Sequence, residues 1–226
     1  MAECRIVVLI SGGGTNLQAL IDAVASGFIP GRIVAVISNV PHAYGLERAQ
    51  RAGIPVEVVD HRMYPSRRAF EAVLRERIER HRPDVVALAG FMRILGPETV
   101  AAFQGRMLNI HPSLLPKFRG LHTHRRALEA GEVEHGASVH FVTDELDGGP
   151  VVLQARVPVR PGDDEQRLAA RVLEREHVIY PLVMRWLCQG RLQMRDGRAW
   201  LDGEPLEQPL QLDQLPAAQW AALVRH

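Results

Sequence analysis

Five short apolar runs, at Arg5 to Ile10, Ile33 to Ser38, Val56 to Val58, Val85 to Leu88 and Met107 to Ile110, alternate with helix-like segments through the first half of the chain. Strands separated by helices cannot pair as hairpins, so the compact solution is a largely parallel sheet covered by its crossover helices. Leu17 to Ala25, Leu46 to Arg51, Arg67 to His81 and Pro97 to Phe103 supply those helices, with Pro97 suited to a first turn. At 226 residues and 46% hydrophobic content, the chain can bury roughly 70% of its unfolded surface around one core. A single-domain, Rossmann-like α/β fold is expected, with ligands binding beyond the carboxyl ends of the strands.

The second half reads differently. Strand-like runs at Ala137 to Val142 and Val151 to Val157 enclose the acidic, glycine-rich turn Asp144-Glu145-Leu146-Asp147-Gly148-Gly149-Pro150. After Pro161-Gly162-Asp163-Asp164 comes a long helix from about Glu165 to Leu187, which Pro181 is expected to kink or divide. Arg191 to Leu201, with Asp196-Gly197 inside, reads as a terminal hairpin. From about Pro205 the chain is rich in Gln, Leu and Pro. A loose tail ending in a short helix is expected there, giving a domain at 1–204 and a tail at 205–226. The formal charge of +1 makes no electrostatic case for nucleic acid. Cys4 and Cys188 stand far apart in sequence and give no support to a disulfide framework or a cysteine metal site. With no signal peptide and no apolar run near membrane-spanning length, a soluble cytoplasmic protein is expected.

Chemistry concentrates at Asn109-Ile110-His111-Pro112-Ser113-Leu114-Leu115-Pro116, where an apolar strand runs into a polar pair and two chain-breaking prolines. Alternation puts Asn109 and His111 on one face and Leu108 and Ile110 on the other. An amide can hold a developing oxyanion and an imidazole can move a proton near neutral pH. A lone histidine at a strand end is commonly no more than a solvated polar terminus, but three other segments weigh against that. The turn at 144–150 can bring a carboxylate to His111, Asp147 being better placed than Asp144, and a buried carboxylate there would raise the histidine's pKa. Ser11-Gly12-Gly13-Gly14-Thr15-Asn16, between a strand and a helix, offers backbone amides to a phosphate, with Thr15 and Asn16 also suited to capping the helix. Leu17 replaces the third glycine of a dinucleotide fingerprint, no acidic residue closes the next strand, and there is no Gly-Lys-Ser/Thr, so neither a nicotinamide site nor a P-loop is supported. The apolar loop Ala89 to Pro97, carrying Arg93, can form a slot for a flat heteroaromatic ring. Among the ten histidines, His111, His122 and His124 match no zinc spacing; His140 fits either a core position or a neighbour of the site, and His177 reads as a packing residue.

Taken together, Val7 to Gly12 with Gly14-Thr15-Asn16, Ala89 to Leu95, Leu108 to Pro116, Gly120-Leu121-His122-Thr123-His124 and His140 to Pro150 resemble the phosphoribosylglycinamide formyltransferases, a family within the folate-dependent formyltransferase superfamily. The similarity runs from the first strand to about Asp202. It implies a formyltransferase fold and transfer of a formyl group from 10-formyltetrahydrofolate to glycinamide ribonucleotide in purine biosynthesis, without a metal. The resemblance makes Asn109, His111 and Asp147 catalytic, assigns the substrate phosphate to Gly14, Thr15 and Asn16, and sets Glu176 at the glycinamide end. Folate is expected at Arg67, Met92, Arg93, Ile94, Leu95, Asn109 and the turn around Asp144. The implied protein is a monomer or homodimer acting on small molecules, without a nucleic-acid or membrane partner. Formyl-folate hydrolysis and simple binding of a phosphorylated metabolite are the competing readings; an added tRNA-binding domain or a preceding regulatory domain is not expected. Two positions depart from the family pattern: Gly13, where a polar residue is frequent, and Arg119, where proline is common.

Overall fold

The computed structural model describes residues 3–224. Strands β1 (Cys4–Ile10), β2 (Gly31–Ser38), β3 (Val56–Val58), β4 (Val85–Leu88) and β5 (Met107–His111) lie side by side in the order β5-β4-β1-β2-β3, all parallel. Helices α1 (Thr15–Ala25), α2 (Tyr44–Arg51), α3 (Arg67–Arg80) and α4 (Pro97–Ala102) connect them, so the α/β expectation holds. Alternation along β1 divides its buried residues. Ile6, Val8 and Ile10 join one core layer with Leu17, Leu20 and Leu46, whereas Val7 and Leu9 join another with Phe70, Leu74 and Val100. A sheet buried on both faces needs near-continuous apolar strands, which is what these sequences supply.

Beyond β5 the sheet turns antiparallel. Helix α5 (Thr123–Glu129) leads into β6 (Glu134–Phe141), antiparallel to β5, and β7 (Val151–Pro158) returns antiparallel to β6. Asp164 caps α6 (Glu165–Cys188), its side chain accepting from Arg167 N. Pro181 does not divide this helix: all 24 residues form one element, with the proline buried against the sheet. Tyr180, fully buried beside it, donates from its hydroxyl to the carbonyls of Leu88 (2.9 Å) and Leu108 (3.1 Å), linking the helix to β4 and β5.

Strands β8 (Leu192–Arg195) and β9 (Arg198–Leu201) form the expected hairpin, with Asp196 (φ 50°) and Gly197 (φ 72°) both left-handed at its turn, and β10 (Glu204–Pro205) adds a third strand. The last segment is not loose. β11 (Leu210–Gln211) pairs parallel with β7, Leu212 enters the core, and Leu215, Trp220 and Leu223 pack against it. Three 3-10 turns, at 212–214, 217–219 and 221–223, stand where a short helix was expected; residues 225 and 226 lie outside the described chain. Leucines that look unpatterned in a polar tail thus cover one edge of the sheet. Cys4 and Cys188 are joined in a disulfide, with Cα atoms 5.4 Å apart, because the end of α6 returns to the start of β1. Sequence separation carries no information about that proximity. Among the described residues no helix is long and apolar enough to cross a membrane.

Candidate active site

β5 ends with Asn109 and His111 facing an open cavity of about 480 Å³. Leu108 and Ile110, on the alternate face, belong to the layer formed with α1 and α6. Antiparallel register sets His140 of β6 directly opposite Asn109, and the Asn109 amide nitrogen lies 3.2 Å from His140 Nε2. The other ring nitrogen, His140 Nδ1, is 2.8 Å from the carbonyl of Phe141. A proton on Nδ1 satisfies that carbonyl and leaves Nε2 to accept from Asn109, so one amide hydrogen is committed and the other is free for a ligand. The question left by the sequence is thereby settled: His140 borders the site, and strand register is the signal that decides it.

Asp147 completes the group. Its backbone is left-handed (φ 49°), directing the carboxylate back beneath the turn, where Gly120 N–H donates to Oδ2 at 2.8 Å. Oδ2 is 3.4 Å from His111 Nδ1, and Oδ1 is 3.6 Å from His140 Nε2. Burial pushes the Asp147 carboxyl upward, but the neighbouring His140 ring, the charge that His111 carries once protonated and the Gly120 amide prevail, and its pKa falls below the ordinary carboxylate value. His111 behaves the other way. Burial lowers its pKa, and the Phe118 carbonyl, 2.9 Å from Nε2, together with Asp147 only partly offsets this. The expected rise is therefore corrected: taking an imidazolium out of water outweighs one carboxylate at 3.4 Å. With Nε2–H donating to Phe118, Nδ1 is the ring atom able to take up a proton.

The cavity mouth is apolar. Met92, Ile94, Leu121 and Leu146 are 67%, 55%, 67% and 47% exposed, and four large apolar side chains at one opening are what a flat hydrophobic ligand would cover. Arg93, Leu95 and Asp144 also line it. Arg67 does not. It pairs with Glu71, whose second oxygen accepts from Gly96 N at 2.7 Å, so Arg67 reaches the end of the Met92–Leu95 loop only through that carboxylate.

Gly14, Thr15 and Asn16 lie at the start of α1. Gly14 is left-handed (φ 70°), and a Cβ there would come within 2.6 Å of the Gly45 Cα, so both the turn and the close approach of α2 require glycine. Neither Thr15 nor Asn16 caps the helix, which begins without a side-chain cap. Instead the Asn16 amide donates to Glu176 Oε2 at 2.7 Å, while Asn16 Oδ1, also buried, has no partner. Burial raises the Glu176 pKa against the opposing effect of that hydrogen bond. Ser11 joins the two halves of the opening: its hydroxyl donates to Asn39 Oδ1 and accepts from Met92 N at 2.8 Å. The sequence places Ser11 in the glycine turn but does not show this linking role, since its partners come from two other strand ends. Among the described residues, no three of His, Cys, Asp and Glu gather as a metal cluster.

A free amide hydrogen beside a histidine–aspartate pair suits attack at a carbonyl carbon, whose oxygen gains charge while a proton changes hands. The fold and the site together thus define a class, an α/β enzyme of acyl-type group transfer with a largely apolar cavity beside the histidine–aspartate pair. More narrowly, the chain belongs to the formyl transferase family, whose profile matches residues 4–184. It is 59% identical over 202 residues to phosphoribosylglycinamide formyltransferase of Escherichia coli, covering 89% of this chain and 95% of that protein. The human trifunctional purine biosynthetic protein adenosine-3 is 44% identical over 192 residues, 85% of this chain and 19% of that much longer one. Among solved structures, phosphoribosylglycinamide formyltransferase of Coxiella burnetii superposes with a TM-score of 0.89 at 51% identity, covering 93% of this chain and 99% of that one.

Proposed function

We infer that this chain transfers the formyl group of 10-formyltetrahydrofolate to the amine of glycinamide ribonucleotide, a step of de novo purine biosynthesis. The observation that carries the reading is the 59% identity to the E. coli enzyme over nearly the whole of both chains. The site supplies what the reaction requires. The substrate amine attacks the formyl carbon, a carbon–nitrogen bond forms, and the carbonyl electrons move onto oxygen, where the free hydrogen of the Asn109 amide meets them. His111, whose pKa burial lowers, takes up at Nδ1 the proton released by the amine, by way of solvent, beside Asp147. The imidazolium then forms beside an ionised carboxylate. As the bond between the formyl carbon and the folate nitrogen breaks, that proton passes to the departing nitrogen, and protons balance over the cycle.

Gly14, Thr15 and Asn16 hold the ribonucleotide phosphate, and Glu176, reached through Asn16, orients the glycinamide end. The cavity bounded by Met92, Arg93, Ile94, Leu95, Asn109 and Asp144 takes the folate, and Arg67, outside that cavity and paired with Glu71, meets the acidic tail where it extends beyond the opening. Formyl-folate is a cosubstrate and no metal participates. The formyltransferase domain is residues 1–204, followed by a tail at 205–226 whose β11 docks on β7 of that domain, and the protein works in the cytoplasm as a monomer or homodimer without nucleic acid.

A spectroscopic assay of 10-formyltetrahydrofolate conversion, with and without glycinamide ribonucleotide, tests this. Conversion should depend on the ribonucleotide, and His111→Ala should lose about 10² to 10⁴-fold in rate while staying folded. Conversion without the ribonucleotide would indicate a hydrolase, and near-normal turnover by His111→Ala would overturn the assigned role.

A further inference from the structure

Arg119 and Glu145 have been given no individual role above, though Glu145 lines the cavity assigned to folate, and they face one another across the rim of the site as an ion pair. They belong to the two segments that flank His111. The stretch 117–122, after β5, contributes the Phe118 carbonyl to His111 Nε2, and the turn 143–149, between β6 and β7, contributes Asp147 to Nδ1. Inside the site these segments meet once, where Gly120 N–H donates to Asp147 Oδ2 at 2.8 Å. Arg119–Glu145 is their meeting point on the outside.

The two segments are unequally anchored. The first is held by Ser113 Oγ donating to Lys117 O (2.6 Å), by Arg126 donating to Arg119 O (2.6 Å), and by the Lys117–Glu132 ion pair at 2.8 Å. A stacked guanidinium adds to this, with Arg126 lying 5.4 Å from the centre of the Phe118 ring. In the turn 143–149, by contrast, Glu145 and Asp147 are the only side chains among the described residues that bond outside it. Glu145 is also seated with some precision. Its side chain folds over Gly148, where a Cβ would collide with it, and its carbonyl accepts from Gly148 N at 3.0 Å. Removing the ion pair would leave the Asp147 turn fastened to the better-held segment by one hydrogen bond.

We propose that Arg119 and Glu145 form a positioning clasp that holds the Asp147 turn against the Phe118 segment and so sets the geometry between His111 and Asp147. The proposal rests on the formyl-transfer reading. The side chains of Arg119 and Glu145 pair with each other and hydrogen-bond to none of Asn109, His111, Gly14, Thr15 or Asn16. With side chains 39% and 62% exposed, the pair biases the closed turn by no more than about fivefold and is screened by salt.

The experiment compares kcat and KM of wild type, Arg119→Ala, Arg119→Glu, Glu145→Arg and the exchanged double variant Arg119→Glu/Glu145→Arg at low and high salt. The expected result is a kcat about two- to fivefold lower in Arg119→Ala, lower again in either charge reversal, and restored to within about twofold of wild type in the exchanged pair. KM for glycinamide ribonucleotide should stay constant, and added salt should narrow the gap between wild type and Arg119→Ala. Unchanged kcat in the single variants overturns the clasp, as does an exchanged pair no faster than Arg119→Glu. A loss confined to KM for the ribonucleotide also overturns it. The wild-type arm separates the two ideas: transfer by wild type with no effect of the variants sinks only the clasp, whereas a wild type without transfer sinks both.

Discussion

Asn109 carries two demands in one amide group. One hydrogen meets His140 Nε2 at 3.2 Å, which fixes the plane of the amide, and the other is left for the formyl oxygen. Asn109→Ala removes that donor and frees His140 together, and it should lower kcat by about 10² to 10³-fold while KM for the ribonucleotide changes little. Steady-state kinetics at saturating formyl-folate check this, and a loss seen mainly in KM would move Asn109 from stabilising the transition state to holding the ground state. His111 shows how far residue identity reaches by itself. The type of side chain, its place at the end of a strand and the following proline mark it as chemically active. The direction of its pKa shift depends on burial, which lowers it, and on Phe118, Asp147, His140 and Arg126, which act on it by hydrogen bond or charge from other places in the chain.

Among the elements, the turn from β1 into α1 makes the plainest prediction. Gly14 has both a left-handed backbone and the Gly45 Cα where a side chain would go. Gly14→Ala meets a conformational cost of about 1–2 kcal/mol and forces α2 away from α1. A lower denaturation midpoint and a higher KM for the ribonucleotide are expected. Gly13→Ala is the control: nothing lies within 4 Å of its Cβ and its φ is not left-handed, so it should fall within about 1 kcal/mol of wild type. Equal denaturation curves for the two variants would contradict this account. The sequence contains both glycines but does not distinguish them, because the difference lies in α2 more than thirty positions away. Strand β6 makes a similar point. Its apolar content shows that it is a strand, yet only its register against β5 brings His140 to Asn109.

At the scale of the whole molecule, stability should respond to acid before the carboxylates do. His135 is buried against His124, and burial with that neighbour lowers its pKa to about 4. The native state keeps this ring neutral, whereas the unfolded chain protonates it below about 6.5. Its contribution is therefore complete above 6.5 and is lost as pH falls from 6.5 towards 4. His111, His124 and His177 shift in the same direction, while Glu176, raised by burial, opposes them as a single group. Thermal unfolding followed between pH 7.5 and about 4.5 should show a falling Tm, and His135→Gln should flatten that slope. A slope unchanged by the substitution would place the acid sensitivity elsewhere.

The amino-acid order alone determined the alternation of strands and helices, the strand end at His111, the glycine turn before α1 and the hairpin at Asp196-Gly197, because each depends on neighbours within a few residues. Only the tertiary structure decided that the last segment docks on β7, that Cys4 meets Cys188, that α6 runs through Pro181, that Arg67 lies outside the cavity and that burial lowers the His111 pKa. These outcomes depend on register, packing and loss of water. All three are set by side chains distant in sequence, and none of them exists until the chain has folded.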